Sequence, residues 1–177
     1  MKINLTYILI LSIFLFSGCS VQNITANGMA VQSVDTAHKF NTTVAVDSHG
    51  GRIKDPLGIP EISDPLLIDA VKTSILNTQL FNKVVPDQAD YNLELFIVKV
   101  GQPVAGLDMT VNVEIAWVIK NNNNGKIIWK KSITTSSTKT TDDASSGINR
   151  LVIATQDAAH INIENGLNLI SKLDLNK

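Results

Sequence analysis

One cysteine, Cys19, among 177 residues excludes an intramolecular disulfide, so the fold must hold by packing and hydrogen bonding alone. Charge of neither sign dominates: 15 Lys and Arg stand against 16 Asp and Glu with no like-charge run, which gives no electrostatic footprint for nucleic acid. No apolar run reaches the roughly 20 residues that a membrane-spanning helix needs. Histidine occurs only at 38, 49 and 160, without the short spacing to a second His, Cys or acid that a zinc site uses. These three are read as solvated or capping groups, and no metal is expected. A G-x-S-x-G elbow and a complete phosphate-binding glycine loop are also missing, so His49-Gly50-Gly51 reads as a turn and not as an oxyanion loop.

What is present begins at the N-terminus. Lys2 precedes an apolar run over residues 7–16, and small residues follow at Ser17 and Gly18, the layout of an export signal. The segment Leu15, Phe16, Ser17, Gly18, Cys19 resembles the lipobox of bacterial lipoproteins, although leucine usually stands where this chain has Phe16. That resemblance implies a diacylglycerol on the Cys19 thiol and cleavage between Gly18 and Cys19. It also implies delivery to the outer membrane, facing the periplasm, because Ser20 stands where aspartate would favour inner-membrane retention. The covalent lipid would be the only non-protein group, and a stable anchor needs more than one acyl chain.

Three segments follow from this division: a signal over residues 1–18, a lipidated flexible tether over 19–39, and one domain over 40–177. The tether assignment rests on Ser, Thr, Asn and Gln without a sustained period, a composition that reaches roughly 25 Å over about 20 residues. Within the domain, Val44 and Val46 mark a first strand, and a Gly- and Pro-rich loop follows. Asp64 and Pro65 read as the cap and first turn of a helix with Leu67, Val71, Ser74, Ile75 and Thr78 on one face, ending near Phe81.

Two long alternating runs come next, Tyr91 to Ile97 on odd positions and Met109 to Ile119 on odd positions. Pairing Val100 with Asp108 across the turn sets Leu95 against Val113 and Leu93 against Ile115. The asparagine run at 121–124 with Gly125 reads as a hairpin turn that sets Ile119 opposite Ile127 and Trp117 opposite Trp129. A three-residue loop would shift the partners and still keep both tryptophans on one face. A final stripe from Ile148 to Leu173 describes a helix of about seven turns, in which Gly166 implies either close packing or a bend. The order β-α-β-β-β-α predicts an α+β two-layer sandwich, mainly antiparallel, with both amphipathic helices on one face.

On the other face Phe96, Val98, Val100, Ala116, Val118 and Ile128 interrupt a polar series and form the candidate partner surface. Asp142 and Asp143 read as acids complementing the entry of the last helix. The VAV strand, the Gly/Pro loop, the helix ending at Leu80 and Phe81, the turn at 87–90 and the strand YNLELFI look like small α+β lipoproteins of Gram-negative envelopes, transport-auxiliary and assembly-accessory types among them. The resemblance implies a non-enzymatic accessory protein that contacts another envelope protein through a sheet edge or the outer face. Two other readings compete with it: a module holding a lipid or small ligand between helices and sheet, and a hydrolase built on His49, Asp142 and Asp143.

Overall fold

The alternation of Met109, Val111, Val113, Ile115, Trp117 and Ile119 resolves into one 13-residue strand, with all six side chains buried on one face. That strand, β4 (Met109–Asn121), lies in a five-stranded sheet of order β2-β1-β3-β4-β5 in the computed structural model, which describes residues 22–35 and 38–175. The other strands are β1 (Phe40–His49), β2 (Phe81–Val84), β3 (Tyr91–Gly101) and β5 (Ile127–Lys139). Among the described residues three helices accompany them: α1 (Ala26–Met29), α2 (Asp64–Thr78) and α3 (Gly147–Ile170).

The α+β architecture matches expectation, but the sheet is mixed. β3, β4 and β5 form an antiparallel meander, while β1 runs parallel to both β2 and β3. A parallel neighbour requires a crossover, and α2 supplies it by carrying the chain from the end of β1 back to where β1 began. The expected continuation of this helix to Phe81 is cut short. It ends at Thr78, where Gln79 turns left-handed (φ 54°) and its N–H caps the carbonyls of Ile75 and Leu76. Its start also differs by one place: Ser63 takes the cap position, and the Asp64 carboxylate instead accepts from Ser48 Oγ (2.8 Å) and Gly51 N–H (3.0 Å), fastening the end of β1 to the helix.

Both predicted registers change by an even number, which preserves the inner face. Leu95 faces Trp117 and Leu93 faces Ile119, because the turn after Gly101 is longer than expected. Ile119 faces Trp129 and Trp117 faces Lys131, so the tryptophans are neighbours on one face and not direct partners.

Helix α3 lies over β4 and β5. Trp117 Nε1 donates to Asn162 Oδ1 (3.0 Å), and Asn162 Nδ2 donates to the Ile133 carbonyl (2.7 Å), so a fully buried amide is satisfied on both sides. Gly166 explains itself here: a Cβ at this position would stand 2.6 Å from Cζ2 of the Trp117 ring. Close packing against the indole is what the glycine permits.

The tether assignment requires correction over residues 22–35. Ile24, Met29, Ala30 and Val31 are buried, with Met29 wholly enclosed where the segment meets α2 and α3. Polar contacts hold the same stretch: Thr25 Oγ1 caps α1 by accepting from Gly28 N–H, Thr25 N–H donates to Gln156 Oε1 (2.8 Å), and Val31 N–H donates to the buried Ser74 Oγ (2.8 Å). Burying one Met side chain stabilises by about 1.5–3 kcal/mol, enough to offset the entropy of ordering one or two residues. These residues are part of the domain. Residues 19–21, 36 and 37, also within the expected tether, lie outside the described residues.

Candidate functional site

The residues expected at the cleavage, lipidation and sorting positions, Gly18, Cys19 and Ser20, lie outside the described residues. The candidate partner face can be followed side chain by side chain. Two rows cross the outer surface of the sheet: His49, Phe96, Ala116 and Ser132 in one, and Asp47, Glu94, Val118 and Lys130 in the next. The His49 and Phe96 rings stack with centroids 5.2 Å apart, so this histidine is a cross-strand packing partner.

Phe96 and Val118 therefore stand where expected, but Val100 and Ile128 do not. A bulge at Val98, between the pairs formed by Ile97 and Lys99, adds one residue to β3 and reverses the alternation beyond it. Val100 then faces Val113 and packs against the core. Val98 itself is exposed at the bulge. A second irregularity, between Ile119 and Lys120, leaves Ile128 without a partner in the ladder and half-buried against the core. What remains outside is a small apolar island of Phe96, Ala116 and Val118 with Val98 at its rim, set among Asp47, Glu94 and Lys130.

The edges of the sheet differ more than its faces. β2 closes one side with four residues, whereas β5 presents thirteen with β4 as its sheet neighbour. Lys130 and Lys131 stand in the middle of β5, a placement that discourages indiscriminate strand pairing. Lys139, at its end, donates to Asp157 (2.6 Å), and this hydrogen bond pushes its pKa above the usual lysine value. A surface cleft of about 540 Å³ runs along the same edge, between Lys131, Ser132 and Thr134 of β5 and Asn165, Asn168 and Lys172 beyond.

His49 and Asp143, two residues of the hydrolase reading, make local structural contacts. Asp143 accepts from Thr140 N–H (2.8 Å), which holds its carboxyl below the usual range, and it lies 3.9 Å from Lys139. His160 Nδ1 meets the Ala30 carbonyl at 3.1 Å and so helps hold the N-terminal segment. Among the described residues no group of three His, Cys, Asp or Glu side chains is placed to hold a metal, and no helix is long and apolar enough to cross a membrane.

Sequence reasoning passed over one set of surface residues. Ile53, Leu57, Val104 and Leu107 are exposed apolar side chains in the two loops that follow β1 and β3. The available signal was apolar residues inside turn-forming contexts, PLGIP and PVAGL, where Gly and Pro drew the reading towards featureless loop.

No family model matches the chain, and no curated protein matches it. Among solved structures, protein XCC0632 from Xanthomonas campestris, of family DUF330, aligns over 80% of this chain and 92% of its own, with a TM-score of 0.60 and 12% identity. The chain shares that fold. A minor lipoprotein from Acinetobacter baumannii aligns over 76% of this chain and 93% of its own, at TM-score 0.49 and 10% identity. The PelC dodecamer from Paraburkholderia phytofirmans aligns over 72% and 87%, at 0.44 and 15%.

Proposed function

We propose that the chain is an outer-membrane-anchored lipoprotein that faces the periplasm and serves as a non-enzymatic accessory factor by binding another envelope protein. Support for the anchor comes from the lipobox-like residues ending at Cys19, and no cofactor beyond the covalent lipid enters the reading. The observation that carries the binding role is the open edge of β5: a thirteen-residue strand paired to β4 on one side, whose alternate backbone donors and acceptors face outward for an added strand, on a sheet whose other edge is four residues long.

A lipid or small ligand between the layers is the weaker reading. Trp117, Leu93, Ile115, Ile163 and Leu167 are fully buried in the core between the layers, so a guest there would have to compete with their packing. Photo-crosslinking residues placed at Lys131 and Ser136, in cells of the native host, test the edge directly. Both sites should give one reproducible protein adduct that disappears in Cys19→Ala, while a probe at Asn123 in the turn should give none. Absence of an adduct from every β5 position would defeat the edge-binding reading.

A further inference from the structure

The loop-bearing end of the sandwich combines three features that point to one occupant. First, the described chain begins there. Gln22 N–H donates to Asn149 Oδ1 (3.1 Å) near the start of α3, and Asn23 and Ile24 border the same cleft as Ile53, Lys54 and Pro60. Only residues 20 and 21 separate Gln22 from Cys19, the position of the lipid, so Cys19 lies within about 11 Å of Gln22 even when fully extended.

Second, this end is apolar where it meets solvent. Ile53, Leu57, Val104 and Leu107 are 76%, 70%, 77% and 76% exposed. The opposite end exposes two large apolar side chains, Ile127 at 58% beyond the asparagine turn and Leu76 at 61% in the last turn of α2, carried by elements on different sides of the sheet order.

Third, the apolar side chains are presented on a built platform. Residues 52–60 form a finger closed by the Lys54 and Pro60 bridge, with the Asp55 carboxylate accepting from Leu57 N–H (2.9 Å) and Ile59 N–H (2.7 Å). Gly58, at φ +81°, completes the tip. The 102–108 loop is fixed beside it, because Gln102 Nε2 donates to the Pro60 carbonyl (2.8 Å) and to Thr155 of α3 (3.0 Å).

We infer that this end is the membrane-facing surface of the domain, with Ile53, Leu57, Val104 and Leu107 seated in the interfacial zone of a phospholipid bilayer. The inference rests on the lipid-anchor reading, because it is the short reach from Cys19 that brings these loops to the headgroups. Lys54, beside Ile53, offers a cation to an anionic headgroup layer, while Arg52 on the other side pairs with Glu61 (3.9 Å). The consequence is a defined orientation: α3 begins at the membrane, and the asparagine turn and the C-terminal end of α3 project away from it.

The test uses the full-length chain, matured in a Gram-negative host, with reporter cysteines Leu57→Cys, Val104→Cys and Ile127→Cys made one at a time. All three positions are exposed, so no buried contact is lost. Mass spectrometry of the N-terminal peptide first establishes whether Cys19 carries lipid, which also blocks its thiol. Each variant then receives an environment-sensitive fluorophore and enters vesicles of phosphatidylethanolamine and phosphatidylglycerol. Labels at 57 and 104 should shift to the blue, lose most of their emission to a quencher attached to lipid acyl chains, and keep it in aqueous iodide; the label at 127 should behave oppositely. Iodide quenching at 57 and 104 equal to that at 127, with Cys19 lipidated, overturns this inference alone. Shielding from both quenchers, the mark of a second copy or a protein partner on the loops, overturns it as well. An unmodified Cys19 overturns the anchor reading and the orientation together.

Discussion

The two faces of β4 carry the same strand in opposite ways. Its inner side chains from Met109 to Ile119 are buried and held by specific contacts, Trp117 to Asn162 and Gly166 above all. Its outer side chains alternate charge, hydroxyl and small apolar groups, joined by cross-strand pairs such as Phe96 with Ala116 and Glu94 with Val118. The inner face tolerates few alternatives because each atom there has a neighbour that cannot move. The outer face is free to vary, and so is available for recognition.

The sharpest test of that contrast is Trp117→Ala. Removing a fully buried indole should cost about 3–5 kcal/mol, since it opens a cavity beneath α3 and leaves the Asn162 carbonyl oxygen without its donor. Urea unfolding monitored by circular dichroism would register the loss; a change under about 1 kcal/mol would mean that the inner face repacks freely.

Met29→Ala asks whether the N-terminal segment belongs to the inner layer. Met29 is wholly enclosed, so truncation should cost about 2–5 kcal/mol, a result that a loose tether could never give. Gly166→Ala sets two effects against each other. Helix propensity would gain about 1 kcal/mol, but a methyl 2.6 Å from a rigid buried ring forces displacement, typically at about 1–3 kcal/mol. A net loss of up to about 2 kcal/mol is expected, and a clearly stabilised variant would restore the bend as the reason for glycine.

Legibility in the sequence followed the length of each periodic run. β3, β4 and α3 repeat their pattern often enough to be read with the correct inner face, and an even error in register leaves that face intact. β2 is four residues long and has no room for a period, and the parallel pairing of β1 depends on a crossover that no local pattern records. Val100 and Ile128 were misplaced because a bulge has no composition of its own: one extra residue at Val98 reverses everything after it. The segment over 22–35 was misread because Ile24, Met29 and Val31 are anchors without a repeat, held by Gln156, Ser74 and His160 from elements far along the chain. The expected signal and the proposed lipid-bearing residue are another matter, read from a linear motif that owes nothing to the fold.

The smallest expected effect belongs to the outer face. Phe96 is 38% exposed, and its described ring contact is the stack on His49. Phe96→Ser keeps the strand and its ladder with Ala116, so it should change stability by no more than about 1 kcal/mol. The same substitution removes the largest apolar side chain of the outer island, so any partner that uses this face should lose affinity by far more than the fold loses stability. Equilibrium unfolding and crosslink yield from the β5 probes, measured on one preparation, separate the two. Undiminished crosslinking with unchanged stability would assign recognition to the β5 edge alone and leave the island as ordinary surface, whereas a large loss of stability would show that the outer face is packed as strictly as the inner one.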